Sequence, residues 1–143
     1  MREVTKMSCQ TLAPESLSHY DLAIIISTYQ SQLLLSRHKK SVNWELQGGP
    51  IQEGETFLTA AKRILVEESG AVTYNLQPLC DFVIDDEKKL EGICFMANIY
   101  DLGQLGDCEM KERKAFEELP EGRLMYPALT SLLIEKKREF EDQ

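Results

Sequence analysis

The architecture of this chain is clearest in the segment GGPIQEGETFLTAAKRILVEESGA, residues 48–71. Its apolar residues return at the spacing of one helical face: Phe57, Ala61, Ile64 and Leu65. Thr56 precedes them as a suitable N-cap, and Gly70 follows them where a left-handed residue often ends a helix. We therefore predict a helix over residues 56–69. Three of the eight glycines lie just before it, so residues 44–55 are predicted to form a loop with unusual backbone angles.

Two adjacent acidic residues, Glu67 and Glu68, lie at the end of this predicted helix. Each helical residue advances by about 100°, so both carboxylates project together, with Ile64 one turn behind them. Arg63 and Glu67 have the i,i+4 spacing of an ion pair. Acidic side chains in a last turn oppose the helix dipole by about 0.3–1 kcal/mol each, and the two anions repel. Either this is a solvated charged face with a weak ion pair, or a divalent cation such as Mg²⁺ binds there.

The rest of the chain contains further strand and helix signals. Short apolar or alternating segments predict strands at residues 20–30, 31–40, 72–85, 92–102 and 109–119. Residues 127–143 are predicted to form an amphipathic helix with a proline in its first turn. This order predicts an α+β fold, an α/β/α sandwich with a mixed sheet between helices. The length predicts a single domain, residues 1–143.

The composition restricts the class of ligand. A net charge of −8 argues against a protein that coats nucleic acid, because such proteins carry a basic surface. A phosphorylated ligand is compatible with this charge where a metal ion or a local basic patch offsets the repulsion. No apolar run approaches the roughly 18 residues of a membrane span. The cysteines lack metal-type spacing and are expected to be reduced, buried thiols of a cytoplasmic protein: Cys9, Cys80, Cys94 and Cys108.

The opening segment also carries a motif with nine specified positions. It resembles the Nudix box, G-x5-E-x7-R-E-U-x-E-E-x-G-U, in which U is an aliphatic residue. Eight positions agree: Gly49, Glu55, Arg63, Leu65, Glu67, Glu68, Gly70 and Ala71. The segments ANIYDL and CEMKERKAFEELPE are similar to the closing part of MutT-like nucleoside triphosphatases of the YtkD type. The resemblance implies a Nudix-like domain that hydrolyses a nucleoside diphosphate linked to another group.

The resemblance also implies roles for individual residues. Glu67 and Glu68 match the paired glutamates with which the family binds Mg²⁺ or Mn²⁺. Gly49 matches the loop glycine, whose neighbourhood often supplies a carbonyl ligand. Glu55 and Arg63 match the residues that brace the loop and orient the carboxylates. All four charged residues are therefore expected in the catalytic site.

An additional acidic ligand often comes from a later loop in this family. Glu109 is our choice for that ligand, and Glu112 is the second choice. A surface acid in an acidic protein explains Glu109 equally well.

Ile64 stands where the Nudix box has glutamate. Isoleucine neither coordinates a cation nor accepts a proton, so the resemblance implies a weakened metal site and another source of water activation. The expected function is Mg-dependent hydrolysis of a nucleoside triphosphate to a monophosphate and pyrophosphate. The alternative is a catalytically impaired Nudix-fold module that binds a nucleotide or a partner. Nucleotide sugars, dinucleoside polyphosphates and 5′-capped RNA ends stay open as other substrates.

Two residues before the motif are candidates for substrate binding. Arg37 belongs to the basic cluster at residues 37–40, and its fork-shaped guanidinium suits phosphate, although a solvated hairpin end also explains the cluster. Trp44 could stack on a base or pack in the core. The expected partner is a small nucleotide; nucleic acid is expected only as a 5′-phosphorylated RNA end. A monomer and a homodimer are both compatible with the sequence.

Overall fold

The computed structural model describes residues 8–106 and 109–143, which form ten elements. The strands are β1 (Ser8–Leu12), β2 (Leu22–Tyr29), β3 (Gln32–His38), β4 (Trp44–Glu45), β5 (Gln47–Pro50), β6 (Ala71–Asp85), β7 (Lys89–Leu102) and β8 (Met110–Phe116). The helices are α1 (Phe57–Ser69) and α2 (Pro127–Glu141). Both helices occupy the segments that the sequence predicts for them.

The strands form one mixed sheet. Its order is β1-β6-β7-β2-β3-β4, with β5 paired to β2 and β8 paired to β3. Strand β2 runs parallel to β7 and antiparallel to β3 and β5, so it joins the two halves of the sheet. Because β5 leads directly into α1, this pairing fixes the start of the helix against the centre of the sheet.

The sheet lies between the two helices. Successive residues of each strand face opposite sides, so each side of the sheet can pack against one helix. Ile25 packs toward α1 in a cluster that includes Ala61 and Leu65. Ile26 packs on the other side, in a cluster that includes Leu129 and Leu133 of α2. The predicted α+β sandwich with a mixed sheet is therefore confirmed.

Residues 44–55 differ from their prediction as a loop. They contain the two short strands β4 and β5, and Gly48 and Gly49 lie opposite Ile24 and Ala23 in the register of β2 and β5. A Cβ at Gly48 would lie 3.1 Å from the side chain of Ile24, so close packing is the reason for this glycine. Only the turn residue Gly54 has the predicted left-handed backbone, with a φ of 85°. Glycine richness alone does not separate these two causes.

Strand β1 has no counterpart in the sequence prediction. It pairs antiparallel to the end of β6, and its residues alternate between exposed and half-buried. None of its residues is fully buried, so its sequence has no clear apolar pattern. Its place in the sheet depends on hydrogen bonds to β6.

Three of the four cysteines lie within the described residues. Cys80 and Cys94 are free, buried and opposite each other on β6 and β7, whereas Cys9 is half-buried. Cys108 and residues 1–7 lie outside the described residues. Within the described part of the chain, neither helix has the length and apolar content needed to cross a membrane.

Candidate functional site

The local sequence gives helix α1 well-defined ends. The hydroxyl Oγ1 of Thr56 accepts a hydrogen bond from the amide of Thr59, as an N-cap side chain does. Gly70 adopts the left-handed conformation with a φ of 76°, and its amide donates to the carbonyl of Val66. The acidic pair Glu67–Glu68 therefore lies in the last turn, at a fixed place beside β5.

Arg63 connects the helix to the preceding turn. Its Nε and Nη2 donate to the two carboxylate oxygens of Glu55 at 2.7 and 3.0 Å, and Nη2 also donates to the carbonyl of Pro50. Its Nη1 donates to Oε1 of Glu67 at 3.0 Å. The Arg63 guanidinium and the amide of Gln52 lower the pKa of Glu55. The structure thus brings Glu55, Arg63 and Glu67 into one charged network, with one oxygen of Glu67 held by Arg63.

Glu68 has different surroundings from its neighbour. It is half-buried, and its Oε1 accepts a hydrogen bond from the amide of Gly48 at 2.9 Å. Burial raises the pKa of Glu68 to about 8; the Gly48 amide opposes this shift, and the charges of Glu45 and Glu67 add to it. A carboxylate that is buried close to two others would be stabilised by a cation.

The backbone around Glu68 is held by a chain of buried polar side chains. The hydroxyl of Ser36 donates to the carbonyl of Glu68 at 2.7 Å, and Nε2 of Gln47 donates to that hydroxyl at 2.9 Å. The hydroxyl of Ser27 in turn donates to Oε1 of Gln47. All three side chains are inaccessible to solvent. Because Gln47 precedes Gly48, β5 positions both the backbone and the carboxylate of Glu68.

A cavity of about 490 Å³ opens on the other side of β5. Its floor is apolar and includes Leu46, Leu90 and Leu129. Its polar boundary includes Glu45, the backbone of Gly48 and Gly49, the β6–β7 turn at residues 86–88, and Tyr126 with Thr130 at the start of α2. Burial raises the pKa of Glu45, and the nearby charge of His38 opposes that shift. The strand that holds Glu68 therefore also borders a cavity with the size of a small-molecule pocket.

The two predicted substrate-binding residues lie outside the boundary of this cavity. Arg37 donates through Nε and Nη2 to Glu112 and through Nη1 to the carbonyl of Ser41. Its guanidinium also lies 5.7 Å from the ring centre of Trp44. Trp44 is 4% exposed and packs edge-to-face on Phe116. This geometry favours the packing interpretation of Trp44 and engages the donors of Arg37 within the protein.

The predicted later ligand lies apart from the paired glutamates. The side chain of Glu109 is 87% exposed and lies 3.3 Å from Nε2 of His38, while Glu112 is paired with Arg37. No contact joins Glu109 to Glu67 or Glu68 within residues 8–106 and 109–143. Those residues also contain no cluster of three or more His, Cys, Asp or Glu side chains arranged to hold a metal ion.

The side chains present fit a divalent cation with few protein ligands. Glu67, Glu68 and the carbonyl of Gly49 are the groups at the junction of helix and strand that could bind it. Mg²⁺ in particular is often held by one or two carboxylates, with water and phosphate oxygens completing the set. A three-carboxylate site is not needed for this arrangement.

Ile64 does not point outward beside the acidic pair. Its side chain is 2% exposed and belongs to the core between α1 and the sheet. An added Cβ on Gly49 would lie 3.8 Å from the Cδ1 atom of Ile64, so the isoleucine fills the space directly beneath β5. It is a core residue at the border of the site.

Sequence reasoning missed three residues of this region: Glu45, Gln47 and Tyr126. The alternation of a strand could have indicated Glu45, because Trp44 faces the core and its neighbour must face the other way. Gln47 reads as part of a loop until its pairing is known. Tyr126 reaches the cavity only through the packing of α2.

The sequence of this chain matches the model of a known protein family. A family model described as the NUDIX domain matches residues 18–121. The chain belongs to the Nudix family. Among curated proteins, no sequence matches this Nudix chain significantly.

Solved structures share the Nudix fold of this protein. The Bacillus subtilis pyrophosphohydrolase BsRppH has a TM-score of 0.84 and 22% identity, and the match covers 99% of this chain and 95% of that one. The NUDIX domain of Shewanella oneidensis NrtR, complexed with ADP ribose, has a TM-score of 0.66 and 21% identity over 88% and 91% of the two chains. A C. elegans Ap4A hydrolase has a TM-score of 0.66 and 18% identity over 85% and 99%. At these identities the likeness demonstrates a shared fold.

Proposed function

We propose that this protein is a Mg²⁺- or Mn²⁺-dependent pyrophosphohydrolase that converts a nucleoside triphosphate into a monophosphate and pyrophosphate. The observation that carries the proposal is the position of Glu68. This half-buried carboxylate is held by β5 next to Glu67, and the same strand borders a cavity of about 490 Å³. Family membership supports a hydrolase, and the Nudix relatives include a pyrophosphohydrolase and an Ap4A hydrolase.

The arrangement suggests how a substrate would lie. The nucleoside would occupy the cavity, and its phosphates would cross the backbone of Gly48 and Gly49 toward the end of α1. Arg63 and Glu55 hold this end of the helix against the turn, so the carboxylate of Glu67 has a defined direction. Water would attack the α- or the β-phosphorus and lose a proton, and the bond from that phosphorus to the α–β bridging oxygen would break. The products would be the nucleoside monophosphate and pyrophosphate.

A cation held by Glu67, Glu68 and the Gly49 carbonyl would supply charge neutralisation for the phosphates and a more acidic bound water. The described residues contribute the rest: the Gly48 amide orients Glu68, and the apolar cavity excludes water from the nucleoside. The free thiols of Cys80 and Cys94 fit a reducing compartment, and we assign the protein to the cytoplasm.

The test is pyrophosphate release from a panel of nucleoside triphosphates with Mg²⁺ or Mn²⁺. We expect turnover by the natural protein and a loss of at least about tenfold in both Glu67→Gln and Glu68→Gln, because each removes a metal-binding charge. Glu118→Gln is the matched control, since this exposed glutamate lies near α2 and away from α1. Unchanged turnover and metal affinity in both site variants would refute the assignment.

A second candidate function is a nucleotide-binding module without catalysis. Ile64 favours it, because an apolar core residue occupies the position of a glutamate in the Nudix box. For this candidate, the natural protein would bind nucleotides but release no pyrophosphate, and Ile64→Glu would gain turnover. Nucleotide sugars, ADP-ribose and dinucleoside polyphosphates belong in the same panel, because they contain the same diphosphate linkage.

A further inference from the structure

The cavity of about 490 Å³ beside β5 is large enough to admit a nucleobase. Its floor is built from aliphatic side chains that include Ile24, Leu46 and Leu129, and Tyr126 lies at its edge with half of its surface exposed. An aromatic side chain above an aliphatic floor stacks on any nucleobase, because every base has a π-face. Tyr126 is exposed at this cavity and Trp44 is buried, so Tyr126 is the side chain of the two that can reach a bound base.

The two sides of this cavity are joined by backbone hydrogen bonds. The amide of Trp44 donates to the carbonyl of Arg123 at 2.7 Å, and the amide of Met125 donates to the carbonyl of Trp44 at 2.8 Å. These bonds join the segment before α2 to strand β4. Because Tyr126 follows Met125 and Glu45 follows Trp44, both side chains are held at the cavity before any ligand binds.

Glu45 is the polar group that a ligand in this cavity would meet near β5. Its half-buried side chain lines the cavity and has no hydrogen-bond partner within the described part of the chain. An ionised carboxylate only accepts hydrogen bonds, and a buried one needs donors to offset its lost hydration. The structure contains no buried side-chain oxygen without a partner among the described residues, so the Glu45 oxygens are in contact with solvent in the free protein. A ligand that displaces this water has to supply the donors instead.

The bases differ in what they can offer to a carboxylate. Guanine presents two adjacent donors, N1–H and the N2 amino group, which match the two oxygens of one carboxylate. Adenine and cytosine place an acceptor nitrogen next to their single amino group, and uracil flanks its N–H with two carbonyls. A carboxylate at this place would therefore attract guanine and repel part of the edge of the other bases.

We propose that this cavity selects guanine nucleotides, with Tyr126 stacking on the base and Glu45 accepting hydrogen bonds from its N1–H and N2 amino groups. The inference rests on the proposed nucleotide substrate and adds the identity of its base. It does not depend on hydrolysis, because the base contacts would exist in any bound nucleotide.

The experiment is a calorimetric titration of GMP, AMP, CMP and UMP, each in the presence of Mg²⁺. We expect the natural protein to bind GMP about tenfold more tightly than the others, which corresponds to one additional charge-assisted hydrogen bond. Glu45→Gln is expected to remove this preference, because its amide presents one donor and one acceptor. Tyr126→Leu is expected to weaken all four nucleotides by about fivefold or more, with Tyr100→Leu as the control at an exposed tyrosine of β7.

Two further measurements separate the other roles of these residues. If Glu45 were a metal ligand, Glu45→Gln would weaken Mn²⁺ binding without nucleotide and would affect all four nucleotides equally; that result would overturn the inference. Equal affinities of the natural protein for the four nucleotides, or no binding of any, would overturn it as well. Pyrophosphate release from GTP is measured separately, so a protein that prefers GMP but releases none would contradict the proposed hydrolysis and leave base selection supported.

Discussion

At the scale of single residues, the two adjacent glutamates of the site differ in burial and in hydrogen-bond partners. Glu67 and Glu68 are adjacent in sequence, yet Glu67 is exposed and paired with Arg63, whereas Glu68 is half-buried against the amide of Gly48. Burial raises the pKa of Glu68 to about 8, with the charges of Glu45 and Glu67 adding to the shift. Such an acid is unfavourable for the fold and suited to holding a cation.

The substitution Ile64→Glu tests how this core residue contributes to the site. We expect the free energy of unfolding in EDTA to fall by about 2–4 kcal/mol, because a carboxyl group enters the apolar core beneath β5. We also expect higher Mn²⁺ affinity, because a glutamate at this position can extend past Gly49 toward the acidic pair. The added metal should therefore raise the Tm of the variant more than that of the natural protein.

The measurement is thermal unfolding in EDTA and in Mn²⁺, together with calorimetric metal binding. Ile64→Gln is the matched control, since it introduces a polar side chain of similar size without charge. Equal metal affinities of the glutamate variant and the natural protein would contradict the idea that residue 64 can reach the metal.

At the scale of elements, the C-terminal turn of α1 is held in place by hydrogen bonds from neighbouring strands. Its last carbonyls have identified donors: Ser36 donates to Glu68, and Nη1 of Arg113 donates to Ser69 at 2.6 Å. An added Cβ on Gly70 would lie 3.1 Å from the backbone carbonyl oxygen of Gly103, so close approach favours the glycine in addition to its left-handed backbone. Strands β3, β5 and β8 thus hold the helix end that carries the paired glutamates.

Ser36→Ala tests whether this support affects function. The variant leaves the carbonyl of Glu68 without its donor and removes one acceptor of the Gln47 amide. We expect a loss of about 1–3 kcal/mol in unfolding free energy, the cost of an unsatisfied buried group. We also expect metal affinity to fall by about tenfold, as for other residues that position a metal ligand.

Ser27→Ala is the matched control for this prediction. Ser27 is equally buried and lies at the other end of the same hydrogen-bond chain. Its variant should lose stability in denaturant unfolding while retaining the natural Mn²⁺ affinity. Equal losses of metal affinity in both serine variants would contradict a specific role of Ser36, because they would reflect a general loss of core stability.

At the scale of the whole molecule, a buried carboxylate ties the segment before β2 to the sheet. Asp81 of β6 is inaccessible to solvent and accepts hydrogen bonds from the amides of Glu15, Ser16 and Leu17 and from the hydroxyl of Tyr20. Burial and the bond to Asp81 raise the pKa of Tyr20 to about 12. The protonated hydroxyl is therefore part of the folded state.

This contact predicts a loss of stability at alkaline pH. The folded state retains the Tyr20 proton more tightly than the unfolded state, whose pKa is about 10, so the contribution is complete below pH 10. It decreases as the pH rises toward about 12, because the unfolded state then releases the proton first. Thermal unfolding of the natural protein should therefore decline more steeply in this window than that of Tyr20→Phe. Parallel curves would show that Tyr20 does not contribute through its proton.

Local sequence patterns were sufficient to predict helix α1, because the residues that define it are close together in the sequence. The cap, the helical period and the glycine stop of α1 all lie between residues 56 and 70, and the predicted and observed helices agree. The Arg63–Glu67 contact also follows from helical spacing alone. Strand β1 and the role of Gly48 could not be predicted this way, because each depends on a neighbour distant in sequence.

The sequence by itself determined the sandwich fold and the helix that presents two glutamates, because helical spacing and apolar periodicity are local properties. Only the tertiary structure decided which groups surround those glutamates. It placed Trp44 in the core and Tyr126 at the cavity, engaged Arg37 with Glu112, and put Ile64 beneath Gly49. Burial and partnership of a side chain depend on elements that meet through packing, and the spacing of residues along the chain does not contain that information.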